Sequence, residues 1–452
     1  MSLSTLLRAR ADDPVRVGLI GAGKFGTMFL AQARRTPGLA VTAIADLAPA
    51  RAHAACAAAG WPDEAHAASD AEAALRTGAC FITDDAALLT GLDALDVIVE
   101  ATGDPAAATR HALAAIDGGH HLVMVSVEAD VLVGPLLARR AAAAGVVYAL
   151  AYGDQPALIC ELVDWARATG FEVVCAGKGT KYMPHFHAST PETVWGHYGI
   201  DPEAARVGGL NPKMFNSFLD GTKSAIEMAA VANACGLAPQ AHGLGFPPAA
   251  AHDLATVCRP KAEGGALAHA GTVEVVSSLD RQGREIADDL RWGVYVTFAA
   301  PDDYVRRCFA EYGLSTDPSG RIAAMWKPYH LIGLELGVSV ARAALRGEAT
   351  GVPDGFRGDV VAVAKRALAQ GERLDGEGGY TVYGRLMPAA RSLAEDALPL
   401  GLAHGVALRR PVVEGAVLRW ADVAIDAADP TVTPRREMEA LFHPTGALSV
   451  PA

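Results

Sequence analysis

Short apolar runs alternate with alanine-rich, helix-forming stretches over the first third of the chain. The apolar runs read as strands buried on both faces, because they carry few polar residues before they end in a polar residue or a glycine. The runs before residue 155 are VRVGLI, LAVTAIAD, LDVIVEATG, HLVMVSVEAD and GVVYALAYGD. Strands that alternate with helices in this way predict a parallel, doubly wound α/β sheet.

The turn after the first run has the pattern Gly-x-Gly-x-x-Gly, formed by Gly21, Gly23 and Gly26. In dinucleotide-binding folds the first glycine permits the tight turn, the second lets backbone N–H groups approach a pyrophosphate, and the third lets the helix pack on the strand. The following helix points the positive end of its dipole at the phosphates. We therefore predict a Rossmann domain in which these glycines, Lys24 and Phe25 bind the cofactor.

The second run ends in Asp46, which lies 20 residues after Gly26, the spacing of a carboxylate that binds a ribose 2′-hydroxyl. Such an aspartate favours NAD, whereas the nearby Arg51 suits the 2′-phosphate of NADP, so both cofactors stay open. The third run closes on a loop where the nicotinamide half of the cofactor is expected. The loop residues assigned to cofactor binding are Ala101, Thr102 and Gly103.

Length and composition set the frame for the rest of the chain. A length of 452 residues predicts several domains, which we place at 1–155 (dinucleotide-binding), 156–385 (α+β, catalytic) and 386–452 (small, β-rich). A net charge of −12 without a lysine- or arginine-rich block argues against nucleic acid or an anionic membrane as partner. Seven scattered cysteines, the lack of a secretory apolar segment and the lack of a long apolar run predict a reduced, cytoplasmic protein.

Residues 178–236 hold the densest polar chemistry of the chain. The first part reads as a long loop, and a helix is predicted from Phe218 onward. On that helix Asp220, Lys223 and Glu227 follow at offsets of three and four, which places them on one face. They form either a solvated face with ordinary ion pairs or a buried acid–base array in which the two acids hold the lysine, and we favour the array.

Lys178 and Lys181 are further catalytic candidates, because they lie at the end of the strand GFEVVCAGKGTK, and a lysine at the carboxyl end of a strand faces the expected ligand crevice. His185 and His187 would share one side of a strand and bind substrate there. A divalent metal is left open, because no third ligand at diagnostic spacing accompanies the two histidines. The remaining substrate-binding candidates combine polar or cationic groups with apolar neighbours: Asn211, Lys213, Asn216, Arg259, Lys261, Lys327 and His330.

The end of the folded chain reads as a small β module with glycine turns. Its segment VVEGAVLRWADV resembles that of SAF-type domains. The proline-containing stretch from Asp429 is expected to be loosely ordered.

Several motifs together resemble the DXR-like (1-deoxy-D-xylulose 5-phosphate reductoisomerase-like) oxidoreductases, which are relatives of homoserine dehydrogenase. The motifs are GAGKFG, the loop after Glu100, GKGTKYMPHFH, GGLNPKMFNSFLDGTKSAIEM and the SAF-like tail. The resemblance implies an NADPH-dependent enzyme of isoprenoid biosynthesis that converts 1-deoxy-D-xylulose 5-phosphate to 2-C-methyl-D-erythritol 4-phosphate. The lysine and acid that homoserine dehydrogenases place near the carbonyl correspond to Lys181, Asp220 and Lys223.

We therefore expect an NAD(P)H-dependent oxidoreductase acting on a small, sugar-derived and phosphorylated carbonyl substrate, assembled as a homodimer. One alternative is a homoserine-dehydrogenase-like enzyme for another hydroxy-aldehyde or polyol. A second alternative is a nucleotide sensor without catalysis. Catalysis of this kind requires the charged side chains of residues 178–236 to lie next to the nicotinamide ring of the bound coenzyme.

Overall fold

A computed structural model describes residues 1–443 of the chain. The strands are β1 Val15–Ile20, β2 Leu39–Ala45, β3 Phe81–Thr83, β4 Val97–Glu100, β5 His121–Met124, β6 Tyr148–Leu150, β7 Glu172–Thr180, β8 Thr272–Ser277, β9 Val294–Ala299, β10 Ile322–Lys327, β11 Gly358–Ala364, β12 Arg373–Asp375, β13 Val382–Pro388, β14 His404–Leu408 and β15 Val423–Ala424. The α-helices are α1 Leu3–Arg8, α2 Lys24–Ala33, α3 Pro49–Ala58, α4 Ala71–Thr77, α5 Ala86–Thr90, α6 Pro105–Asp117, α7 Val127–Ala144, α8 Gln155–Ala168, α9 Val194–Tyr198, α10 Pro202–Val207, α11 Pro212–Leu219, α12 Thr222–Cys235, α13 Leu254–Val257, α14 Asp303–Glu311, α15 Gly337–Arg346, α16 Ala389–Ala394 and α17 Val432–Phe442.

The chain divides into two compact units. The first unit consists of Met1–Leu158 and His330–Asp354, and the second consists of Ile159–Tyr329 and the chain from Gly355 onward. The predicted three-part division at residues 155 and 385 stays a prediction, and its last part extends past the described residues.

The first unit is built on a six-stranded parallel sheet in the order β3-β2-β1-β4-β5-β6. This order is that of a doubly wound dinucleotide-binding fold, whose ligand crevice opens where the strand order reverses, between β1 and β4. The apolar strands and helix α2 bury a common core. Leu336, which precedes α15, and Val340 within α15 belong to the same core. The sequence-based prediction of a Rossmann-type sheet is confirmed.

The second unit contains a four-stranded mixed sheet in the order β10-β9-β7-β8, with β7 parallel to β8 and antiparallel to β9. Strands β11 and β13 form an antiparallel ribbon, and β12, β14 and β15 form a small antiparallel sheet. Helix α12 contacts β7 and β8 of the larger sheet and both strands of the ribbon. All its residues are buried except Lys223 and Ala234, which are partly exposed.

Two predictions about local structure are wrong. The predicted strand FEVVCAGKGT is confirmed as β7, but the long loop predicted after it contains a series of short helices, including α10 and α11. The stretch from Asp429, predicted to be loosely ordered, contains the helix α17 within the described residues; its remainder after residue 443 lies outside them. No helix in residues 1–443 has the length and apolar character needed to cross a membrane.

Candidate functional site

The glycine turn after β1 has the geometry of a phosphate cradle. Gly21 has a φ of 99°, and a Cβ atom there would lie 2.6 Å from the carbonyl oxygen of Ala101, so only glycine fits. Gly23 precedes the first residue of α2, and a Cβ atom there would meet no protein atom within 4 Å. The space above Gly23 is therefore open to a ligand at the positive end of a ten-residue helix. Lys24 is exposed beside this space, whereas Phe25 packs partly against the core.

The loop after β4 is held by a buried carboxylate. Glu100 is fully buried and accepts hydrogen bonds from the Thr102 hydroxyl at 2.6 Å and from the Ser126 hydroxyl. Ser126 in turn accepts a hydrogen bond from the Gly103 N–H at 2.9 Å. These bonds fix the conformation of residues 101–103. A further bond from the Ala101 N–H to the Ile20 carbonyl, at 2.8 Å, holds the loop beside the glycine turn. Ser126 and Glu100 were not among the predicted site residues.

Asp46 is engaged by protein groups on both oxygens. Its carboxylate accepts from the N–H groups of Ala22 and Ala48, each at 2.9 Å, and from Arg51 at 2.6 Å. These hydrogen bonds, led by Arg51, lower the pKa of Asp46 although burial opposes them. Asp46 therefore braces the glycine turn and anchors Arg51, whose side chain is 59% exposed.

Lys178 and Glu227 form a buried ion pair in the second unit. Lys178 lies on β7 and Glu227 lies on α12, and their side chains are 7% and 3% exposed. Burying an ion pair costs desolvation energy, so the Lys178–Glu227 pair is a candidate functional group that also lies at a predicted site. The sequence-based candidates Lys178 and Glu227 thus lie together, although they are separated by 49 positions in the chain.

Lys181 lies just past β7 in a different environment. Its ammonium donates to the carbonyl of His197 at 2.7 Å and lies 5.6 Å from the centre of the Tyr198 ring. Burial, followed by repulsion from Arg291, lowers the pKa of Lys181. A lysine with a lowered pKa exchanges its proton more readily near neutral pH.

The predicted alignment of three residues on one helix is wrong for Asp220, whereas Lys223 and Glu227 do follow each other by four positions on α12. Asp220 ends α11, and Gly221, with a φ of 88°, separates it from α12. The carboxylate of Asp220 is fully buried and lies 2.7 Å from the ammonium of Lys365. The two acids therefore belong to two different lysine pairs, Asp220 with Lys365 and Glu227 with Lys178.

His185 and His187 lie in a short 3-10 helix, Pro184–Ala188, so the expectation that they share a side of a strand is wrong. His185 is exposed, whereas His187 points inward. The His187 Nδ1 lies 2.7 Å from the Asp220 carbonyl and its Nε2 lies 2.9 Å from the Tyr182 hydroxyl. Because a carbonyl only accepts, Nδ1 carries the proton and Nε2 accepts from Tyr182. Burial lowers the pKa of His187, which favours this neutral form.

The other predicted substrate-binding residues are dispersed. Asn211 caps α11, and Asn216 is buried with hydrogen bonds to the carbonyls of Ser189 and Gly378. The remaining ones are placed as follows: Lys213 donates to the Asp375 carbonyl, Arg259 pairs with Asp317, Lys327 pairs with Glu161, Lys261 is exposed, and His330 lies in the first unit. Asn216 lies close to the Asp220–Lys365 pair, because both Asn216 and Lys365 bond the Ser189 carbonyl.

Two further site residues were missed because they lie far along the chain. Lys365 directly follows β11, and Tyr383 lies on β13, where its ring stacks on His187 at 4.5 Å. A lysine after the apolar run GDVVAVA was a readable signal, since such a strand end is usually buried. Within residues 1–443, no group of three or more histidine, cysteine, aspartate or glutamate side chains is arranged to hold a metal ion.

Comparison with known families assigns two parts of the chain. Residues 153–336 match the family described as Oxidoreductase DRL, catalytic domain, and residues 359–424 match the SAF domain family. The catalytic-domain match includes both Lys178 and Glu227, and the SAF match includes Lys365 and Tyr383. No curated protein matches the chain significantly.

Several solved structures are distantly similar to the chain. Myo-inositol dehydrogenase from Lactobacillus casei, in complex with NAD(H) and myo-inositol, is 17% identical over 40% of this chain and 50% of its own, with a TM-score of 0.29. An inositol dehydrogenase homologue from Azotobacter vinelandii, in complex with NADH and myo-inositol, is 20% identical over 42% of this chain and 48% of its own, with a TM-score of 0.30. The chain thus spans about half the length of these structures. The match of residues 153–336 confirms the prediction of an oxidoreductase enzyme.

Proposed function

We propose that this protein is an NAD(P)-dependent oxidoreductase that acts on a carbonyl or hydroxyl group of a small, sugar-derived or polyol substrate. The observation that carries the proposal is the buried Lys178–Glu227 pair inside the stretch that matches an oxidoreductase catalytic domain. The six-stranded parallel sheet with its open glycine turn supports a dinucleotide cofactor.

The residues around the glycine turn fit a nicotinamide dinucleotide. The open side of Gly23 and the first turn of α2 would hold the pyrophosphate, and residues 101–103 would border the nicotinamide half. The exposed guanidinium of Arg51, held by Asp46, suits a 2′-phosphate, so we propose NADPH as the preferred cofactor. The cofactor, when bound, supplies or accepts the hydride.

The chain's own residues hold and move the proton of this reaction. Glu227 orients the Lys178 ammonium, and this ammonium is proposed to polarise a substrate oxygen. Lys181, whose pKa is lowered by burial, is proposed to release or take up a proton in the reaction. Lys223, partly exposed near the start of the same helix as Glu227, is proposed to bind the substrate alongside them.

The resemblance to DXR-like oxidoreductases makes 1-deoxy-D-xylulose 5-phosphate the first substrate to test. Its conversion to 2-C-methyl-D-erythritol 4-phosphate would place the enzyme in isoprenoid biosynthesis. Inositols, homoserine and short hydroxy-aldehydes form the rest of the panel, and a cytoplasmic homodimer stays a prediction.

The test is the change in absorbance at 340 nm with NADPH or NADH and each substrate of the panel. We expect Lys178→Met to lower turnover by about 100-fold or more, in the range of acid–base catalysis, while the Kd for NADPH changes by less than about twofold. Arg206→Ala is the control, because this side chain is 73% exposed on α10. Normal turnover by Lys178→Met would contradict the proposed mechanism, and cofactor binding without turnover on any substrate would favour a sensor.

A further inference from the structure

We propose that the SAF-matching segment contributes positioning residues to the acid–base site, with Lys365 holding Asp220 and Tyr383 holding His187 at the start of α12. This inference rests on the proposed function, because it assigns the segment a role in that site. It follows from contacts within the second unit alone.

Lys365 is saturated by three acceptors. Its ammonium donates to the carbonyls of Ser189 at 2.8 Å and Gly379 at 2.9 Å, and it lies 2.7 Å from the Asp220 carboxylate. An ammonium has three N–H groups, so these acceptors leave none for a substrate. The side chain is 2% exposed. Lys365 therefore acts through Asp220 and is a positioning residue.

The Asp220 carboxylate, held by Lys365, in turn holds the start of helix α12. The Asp220 carboxylate accepts from the N–H of Thr222, the first residue of the helix, at 2.9 Å. The Thr222 hydroxyl accepts from the N–H of Gly384 on β13 at 2.8 Å. The first turn of α12 is thus tied twice to the SAF-matching segment, once through Lys365 and once through the β13 backbone.

The main chain of Asp220 is held from the other side by His187. The ring of Tyr383 stacks on the His187 ring with 25° between their planes, and Tyr182 donates to the remaining ring nitrogen. A stacked ring with both nitrogens bonded has one orientation, so the Asp220 carbonyl has a fixed donor.

The position of α12 decides where Glu227 lies. Glu227 follows Thr222 by five residues, which is about 7.5 Å along a helix. A helix start that shifts or frays would move the carboxylate away from the Lys178 ammonium. A change in the Asp220–Lys365 pair should therefore reach the Lys178–Glu227 pair through the first one and a half turns of α12.

The test compares Lys365→Met with Lys365→Arg and with Arg366→Met, an adjacent and half-exposed control that pairs with Glu372. We expect Lys365→Met to lower kcat by at least about tenfold, with the Kd for NADPH unchanged, and Lys365→Arg to recover part of the loss. Burial raises the pKa of Asp220 and Lys365 lowers it, so the acidic limb of the kcat profile should move to higher pH in Lys365→Met. A loss of folded protein alone would not move that limb.

Tyr383 gives a second test if Lys365→Met does not fold. Tyr383→Phe keeps the stacked ring and should retain kcat, whereas Tyr383→Leu removes the ring and should lower kcat about fivefold or more. Equal kcat values and unchanged pH profiles in folded Lys365→Met and Tyr383→Leu would overturn the inference. If Lys178→Met is inactive in the same assay, only this inference fails; if Lys178→Met is fully active, the proposed function fails.

Discussion

The hydrogen-bond donors around a carboxylate in this protein determine whether it can still bind a ligand. Asp46 stands at the position of a ribose-binding acid, yet its oxygens already accept from two backbone N–H groups and from Arg51. A carboxylate offers about four lone-pair directions, so little capacity remains for a ribose hydroxyl. We therefore propose that the exposed guanidinium of Arg51, rather than Asp46, contacts the cofactor.

Replacing Arg51 should separate the two cofactors. We expect Arg51→Ala to raise the Kd for NADPH by about tenfold or more and to leave the Kd for NADH nearly unchanged, because only NADPH carries the 2′-phosphate. Fluorescence titration with each cofactor measures both constants. Arg16→Ala, at the opposite end of β1, is the control. An equal effect on both cofactors would contradict the assignment.

Asp130 makes the stability of the first unit depend on pH. It is fully buried, accepts one hydrogen bond from Tyr148 at 2.7 Å, and its second oxygen has no hydrogen-bond partner among residues 1–443. Burial raises the pKa of Asp130 to about 7, against about 3.9 in an unfolded chain. The folded protein binds more protons between these values, so its unfolding free energy falls as pH rises from about 4 to about 7.

Asp130→Asn should remove this dependence. The difference in unfolding free energy between the variant and the native protein should shift in the variant's favour by about 2 kcal/mol between pH 5 and pH 8. Urea unfolding at the two pH values measures it. Asp117→Asn, at an exposed position of α6, should show no such shift; a constant difference for Asp130→Asn would mean that its carboxyl is ionised throughout.

At the scale of elements, the break between α11 and α12 is what sequence reasoning missed. A continuous helical pattern across residues 218–227 predicted one face, but Gly221 takes a left-handed conformation and turns Asp220 away. The short helices before it had readable starts, since Asp201 and Asn211 each precede a proline and cap the next turn. The many polar residues of this stretch favoured a loop, although these caps indicated short helices.

Gly221→Ala tests the importance of this break. A Cβ atom would face a φ of 88° and would lie 3.3 Å from His187 and 3.4 Å from Phe246, so we expect a cost of about 2 kcal/mol or more and a lower kcat. Gly236→Ala at the end of the same helix is the matched control, with a φ of 63° and looser surroundings. It should cost about 1 kcal/mol and leave kcat unchanged. Thermal unfolding and turnover of both variants decide the comparison.

At the scale of the whole molecule, the parallel sheet of the first unit could be predicted, and so could a strand under Lys178 and a helix under Glu227, because local hydrophobic patterns encode strands and helices. The pairing of Lys178 with Glu227 was not predicted, since the sequence pattern placed Glu227 with Lys223. The contacts that Lys365 and Tyr383 make could not be predicted, since each residue lies more than 140 residues from the group it holds and no local pattern links them. Helix α17 was not predicted for the same reason, because its buried contact is with a residue far away in the sequence. Arg435 of α17 is fully buried and bonds Asp359 of β11 at 2.6 Å, a pairing across 76 positions.

The C-terminal helix should therefore be a structural part of the second unit. Arg435→Met leaves the buried Asp359 without its cation, so we expect a loss of about 3–5 kcal/mol. Arg436→Met, a neighbouring side chain that is 43% exposed, should cost about 1 kcal/mol. Urea unfolding followed by circular dichroism distinguishes them, and a loss of about 1 kcal/mol or less for Arg435→Met would contradict the prediction.

The first unit is made of two separated stretches of chain, and α15 comes from the second stretch. Leu336 and Val340 reach the same apolar core as β1 and α2, so that core stays incomplete until they emerge from the ribosome. During synthesis the nascent dinucleotide-binding sheet must then wait, with apolar surface uncovered, while more than 170 residues of the other unit are translated. Chaperone contact with the growing polypeptide is expected to be longest in this interval.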